Sequence, residues 1–217
     1  MMDHFRLCVA FVPLSIYLIG LGVLNFRRRP AVVAGSRDFA FLGLGVIGLV
    51  FVGPVELLLP ALPDNLAGYV WLMLIVLYCL FLTLGVLLSK PRIVVYNVTL
   101  DQLRPALADA VNELEADVRW AGGSVSLPKL HVEFYFDDHA TVKNVSLVAT
   151  GSPQSYAGWR LLERTLRAQL HEGVETTANA WGLGYLIFAV GMLGRIAWVA
   201  AKHPQEIAQG FTELMRF

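Results

Sequence analysis

The chain has 217 residues, of which 56% are hydrophobic and only 16% charged, and its mean hydropathy is +0.59. That is more apolar material than a soluble domain of this size buries, which excludes a simple water-soluble globule. Seventeen Lys and Arg balance seventeen Asp and Glu, so no net charge directs the chain toward nucleic acid.

The first apolar run, residues 7–26, is long enough at about 1.5 Å per residue to cross a hydrocarbon core of roughly 30 Å. Most of its flanking positive charges, Arg27 to Arg29, follow the apolar stretch, and no Ala-x-Ala cleavage pattern is present, so it reads as a retained helix rather than a signal peptide. Pro13 predicts a kink of the kind that neighbouring helices tolerate in a bilayer. Arg27, Arg28, Arg29 and Arg37 then make a short basic loop, which the positive-inside rule assigns to the cytoplasm. The N-terminus is accordingly expected outside.

The second run, 39–60, carries Gly43-Leu44-Gly45-Val46-Ile47-Gly48, which fits the spacing G-x-G-x-x-G. A dinucleotide loop needs a strand before it and a helix after it, whereas these glycines sit inside an apolar run, so close helix packing explains Gly43, Gly45 and Gly48 better. Glu56, close to Pro60, is either a hydrated residue at the outer interface or an intramembrane functional group. The third run, 69–89, has Tyr69 and Trp71 at its outer end and Lys90 and Arg92 at its inner end, the flanks expected of a returning span. Cys8 and Cys79 lie in apolar runs and read as small hydrophobes, so neither a disulfide nor any metal or cofactor is expected.

Residues 91–176 carry most of the charges and read as one soluble α+β domain, with nine Lys or Arg against eleven Asp or Glu between Lys90 and Glu175. A strand is predicted at 92–97. A helix follows from the Thr99/Gln102 capping box, with Pro105 blurring its start. Strands at 117–120 and 124–127 flank Ala121-Gly122-Gly123, a hairpin signal. Residues 130–136 alternate, placing Leu130, Val132, Phe134 and Phe136 on one face; Asp137-Asp138-His139 reads as a turn and 141–150 as the last strand. A helix starting at Ser152-Pro153 presents Tyr156, Trp159, Leu162, Leu166 and Leu170 as its apolar stripe and ends at Gly173. The order predicts two helices on one face of an antiparallel sheet. Arg160, Arg164 and Arg167 make a local basic face beside Glu163. His131, Glu133, Asp137, Asp138 and His139 are the domain's only dense set of metal-ligand types, with His131, Glu133 and Asp137 on one strand face and His139 across the turn, a pattern that any half-exposed strand also shows on its wet side. The sequons at Asn97 and Asn144 would matter only in a lumenal domain.

The fourth run, about 178–201 within a segment 177–202, contains Arg195, Gly184 and Gly191; its outward direction follows from the crossing count, since Glu175 and Lys202 flank it the wrong way round. The tail, 203–217, spaces Ile207, Phe211, Leu214 and Met215 as one face of an amphipathic surface helix.

The expectation is thus a multi-pass protein of the plasma or inner membrane, with four spans, a cytoplasmic α+β domain and both termini outside. It has no nucleophile elbow, phosphate loop or zinc-spaced set, so a non-catalytic scaffold or accessory subunit, binding a protein partner or a second copy, is the expected function. The alternative is a transport or channel component in which Glu56 pairs with Arg195; a metal-dependent enzyme using His131 and its neighbours ranks below both.

Overall fold

The computed structural model describes residues 4–55, 64–151, 154–173, 176 and 179–214, and among them it contains seven α-helices and one six-stranded sheet. The chain divides into two compact units. One draws on Met1–Leu21, Ala40–Leu87 and Gly184–Phe217, the other on Gly22–Phe39 and Leu88–Leu183.

Apolar helices dominate the first unit. Helix α1 is His4–Phe26, and α2, Gly35–Val50, runs into a π-helical turn at Phe51–Val55; α3 is Asp64–Leu88. Among the described residues, three helical stretches are long and apolar enough to cross a membrane: His4–Phe26, Gly35–Gly53 and, later in the chain, Ala180–Lys202; Leu72–Leu88 is a shorter apolar stretch of α3. Pro13 lies inside α1 and has no N–H to give to the carbonyl four residues back, that of Val9. Gly48 of α2 stands against that same Val9 carbonyl, so closely that no Cβ would fit. The proline frees an acceptor at the point where the missing Cβ of Gly48 lets α2 come close. Gly43 likewise faces Leu82, Gly45 faces Tyr17, and the Tyr78 hydroxyl donates to the Gly43 carbonyl at 2.6 Å.

The second unit is built on strands β1 (Ala31–Ala34), β2 (Arg92–Tyr96), β3 (Arg119–Ala121), β4 (Ser124–Leu127), β5 (Val132–His139) and β6 (Asn144–Ala149). They lie in the order β1-β2-β6-β5-β4-β3, every pair antiparallel. Helices α4 (Leu100–Leu114) and α5 (Tyr156–Gly173) pack on each other and on one sheet face. Leu103, Leu107 and Val111 from α4, Leu162, Leu166 and Leu170 from α5, and Ile93, Val95, Phe134 and Leu147 from the sheet form the buried core. Each such side chain contributes roughly 1.5–3 kcal/mol by leaving water.

Three departures from the expected layout have local causes. The unit reaches beyond 91–176, because Ala31–Ala34, from the arginine loop, pairs with β2 in the register Ala31↔Tyr96 to Ala34↔Ile93 and buries Val32 in the core. Asp137-Asp138-His139 is not a turn: those residues continue β5, opposite Ser146, Val145 and Asn144, and the chain reverses at the 3-10 turn Ala140–Val142 with Lys143 at φ 52°. Alternation along a paired edge outweighs the turn preference of Asp there. Pro105 sits well inside α4, where the Asp101 carbonyl that loses its donor lies on the exposed face and is open to water. The hairpin does close at Gly122, whose φ of 59° suits glycine, joining β3 to β4.

The loop before β5 is fixed by charge as well as packing. Buried Glu115, just past α4, accepts the Lys129 N–H at 2.9 Å, and the exposed Lys129 ammonium reaches Asp117 at 2.9 Å. The hydrogen bond and charge of Lys129 lower the Asp117 carboxyl below its ordinary 3.8, and Asp117 raises Lys129 above 10.5. A lowered acid stabilises above its unfolded value and loses that contribution as pH falls through its folded one; a raised base does the reverse on the alkaline side. Lys129→Met is therefore expected to lower the unfolding midpoint at neutral pH, with the difference from wild type closing below about pH 4 and above about pH 10.5 in a pH series of melts. A second expectation concerns the helices. Gly48→Ala should destabilise the detergent-solubilised chain by about 1–3 kcal/mol through overpacking. Gly184→Ala, with no atom within 4 Å of the new Cβ, should be neutral or stabilising by up to about 1 kcal/mol.

Candidate functional site

The residues nominated for metal binding do not converge. His131 immediately precedes β5 and His139 ends it, and at about 3.3 Å per residue the two are roughly 25 Å apart along the strand. Glu133 lies near Gly151, and only Asp137 and His139 are neighbours, at 3.9 Å. Glu133, Tyr135 and Asp137 share the sheet face turned away from the helices. Glu56 lies outside the described residues, so its pairing with Arg195 has no counterpart here. The Arg195 guanidinium stacks on Trp198, 4.6 Å from the ring centroid, and Lys202 covers the same ring at 4.2 Å. Such cation–π stacking suits an aromatic residue at a water-facing end of an apolar helix. In that helix, α6 (Ala180–Lys202), Gly184 and Gly191 have no atom within 4 Å of where a Cβ would stand.

The basic residues gather in the second unit. Arg27, Arg28, Arg29, Arg37, Lys90 and Arg92 are all exposed and all belong to it. Arg29 donates to His171 Nε2 at 2.9 Å. Arg92 reaches Asp38 in the first turn of α2 at 3.4 Å, while the Tyr96 hydroxyl donates to the same carboxylate at 2.5 Å. Beside them lies a buried polar junction. Asn97, in a left-handed conformation at φ 58°, gives its Nδ2 to the Arg27 carbonyl at 2.6 Å and to Thr176 Oγ1 at 2.9 Å. The Thr176 N–H donates to the Arg28 carbonyl, and the Asn179 N–H to the Asn25 carbonyl. Asn97 is 1% exposed, and the nitrogen that a glycan would need is engaged within the fold.

The outer face of α5 carries exposed apolar and basic side chains together. Tyr156, Ala157, Arg160, Leu161 and Arg164 line an open depression of about 500 Å³. Tyr156 is 66% and Leu161 42% exposed, although the opposite stripe of the same helix is spent entirely on the core. Of the three arginines, Arg167 is committed, donating to Glu163 Oε1 at 2.7 Å and to the Val32 carbonyl at 3.0 Å. Arg160 and Arg164 remain beside the apolar pair. Sequence periodicity identified Trp159, Leu162 and Leu166, but it placed Tyr156 in the core stripe, and only the exposure shows that Tyr156 and Leu161 face outward.

A second cluster was not anticipated. In α7, Pro204–Leu214, Glu206 accepts from His4 Nδ1 at 2.5 Å and from His203 Nδ1 at 2.9 Å. The two imidazoles stack with centroids 4.1 Å apart and planes 9° from parallel. The His4 hydrogen bond chiefly holds the Glu206 carboxyl below the usual glutamate range, with partial burial opposing and His203 assisting. The spacing His203-x-x-Glu206 was a legible helical pair; its partner at position 4 was not.

No protein-family model, curated protein or solved structure matches the chain.

The junction makes a direct prediction. Asn97→Ala loses two buried hydrogen bonds and strains a left-handed backbone, for a destabilisation of about 2–3 kcal/mol in denaturant unfolding. Asn97→Gly should lose less, because glycine accepts that φ; equal losses would remove the backbone contribution.

Proposed function

We propose that the chain is a membrane-anchored, non-catalytic scaffold or accessory subunit whose α+β domain lies on the cytoplasmic side and binds a protein partner through the outer face of α5. The observation that carries this reading is Tyr156 and Leu161, exposed between Arg160 and Arg164 on a helix whose other face is fully used. A large exposed aromatic and an aliphatic side chain flanked by guanidinium groups form the usual anchor-and-rim arrangement of a recognition surface. A matching partner segment would offer an apolar side chain bracketed by carboxylates.

Membrane anchoring is supported by the helices. α1, α2 continued to Gly53, and α6 have the required length and hydropathy, and Leu72, Phe81 and Leu87 of α3 with Ile187 and Phe188 of α6 are apolar and more than 60% exposed. Exposed apolar surface on that scale calls for lipid or a second copy. The unit containing the α+β sheet also holds the last residues of α1, the first of α2, the end of α3 and the start of α6. Arg27, Arg28, Arg29 and Arg37 between α1 and α2, with Lys90 and Arg92 after α3, support the cytoplasmic side for the loops that carry them. Among the described residues nothing stands within 4 Å of a Cβ built at Gly184 or Gly191 of α6, which leaves room there for another helix, of a partner or a second copy.

Capture from native membranes tests the reading. Wild-type chain is expected to recover a partner that Leu161→Asp and the pair Arg160→Glu with Arg164→Glu each fail to recover, while their unfolding midpoints stay within about 0.5 kcal/mol of wild type because these positions are exposed. Recovery of the wild-type chain alone and monomeric would remove the proposal.

A further inference from the structure

The ends of the chain converge on chemistry that neither the sheet domain nor the α5 face uses. His4, in the first turn of α1, and Glu206, in the first turn of α7, lie 202 positions apart in sequence, yet their side chains meet at 2.5 Å. Phe5 packs against Gly210, where an added Cβ would come within 2.6 Å of the ring, so α7 is seated on the start of α1 by a contact independent of the cluster. Pro204 opens α7, and the one-turn spacing from His203 to Glu206 sets an imidazole and a carboxylate on the same side.

Two imidazole nitrogens and one carboxylate are the donor types favoured by zinc and its late transition-metal neighbours, and magnesium or calcium would instead require oxygen ligands. Nδ1 of His4, Nδ1 of His203 and a Glu206 carboxylate oxygen all lie within 4.8 Å of one another, and among the described residues no other three His, Cys, Asp or Glu do so. Tetrahedral bonds of about 2.0–2.1 Å set neighbouring ligand atoms roughly 3.3 Å apart. Glu206 presents Oε2 to His4 Nδ1 at 2.5 Å and Oε1 to His203 Nδ1 at 2.9 Å, and the two rings stack 9° from parallel. A metal that replaces the shared protons therefore takes one or both of these oxygens and turns one imidazole until the two Nδ1 lone pairs converge. The side chains of His4, His203 and Glu206 are 25%, 39% and 50% exposed, which leaves the site open to solvent ions and a fourth position for water.

We infer that His4, His203 and Glu206 form a three-ligand site for a divalent late transition-metal ion, which clips α7 onto the first turn of α1. The inference does not depend on the partner surface of α5.

The test uses full-length, tag-free chain in detergent, stripped with a chelator and titrated with zinc against a chromophoric competitor. One equivalent is expected to bind. His203→Ala and Glu206→Gln should each weaken it at least tenfold, and zinc should raise the unfolding midpoint of wild type but not of either variant. Because these side chains are partly exposed, the variants should fold, and their circular dichroism is recorded alongside. Cobalt(II) loaded in place of zinc offers a check that needs no variant: a visible spectrum typical of nitrogen and oxygen ligands, one ion per chain, is expected. Absence of stoichiometric binding, or wild-type affinity in either variant, would overturn the site and leave a hydrogen-bonded trio.

Discussion

One buried amide holds the second unit in register. Asn97 leaves β2 in a left-handed conformation, and its side chain reaches both the Arg27 carbonyl beyond α1 and Thr176 ahead of α6. Three stretches distant in sequence are thereby fixed at one point that water does not reach. A buried polar knot of this kind costs heavily when any member is lost, so it specifies one arrangement rather than several. The backbone bonds from Thr176 to Arg28 and from Asn179 to Asn25 follow from that arrangement. So does the position of β1, which must leave the arginine turn at the level of Tyr96.

What the sequence disclosed followed from periodicity. α4, β4, β6 and α5 were legible because each buries one face and so repeats every two or every three to four residues, and β2, buried from Ile93 to Tyr96, was legible as a short β-branched apolar run. β1 was not. Ala-Val-Val-Ala is too short to show a period, and its strand character comes from β2, about sixty residues away. Asp137 to His139 misled for a related reason, since their composition favours a turn while their pairing with β6 keeps them extended. The candidate site divides the same way. The arginines of α5 were legible as a basic face, but the outward Tyr156 required the packing of α5, and His4 required the fold to bring it to Glu206.

The two clusters at the ends of α1 are of different kinds. At its C-terminal end, Asn25, Thr176 and Asn179 join through neutral groups, mostly backbone, which give fixed geometry and no response to ions. At its N-terminal end, His4 meets a carboxylate and a second imidazole, groups whose association depends on what occupies the space between them. One end is constitutive and the other is conditional on chemistry.

The borrowed strand has a consequence for any attempt to isolate the domain. A fragment beginning near Lys90 would keep both helices and five strands, but β2 would lose its neighbour and Val32 its place in the core. β2 would then be a bare, apolar edge, Ile-Val-Val-Tyr, with unpaired amides facing solvent. Such an edge is a template for intermolecular pairing. Self-association of that fragment would report the missing turn between the first two helices, not the behaviour of the intact chain.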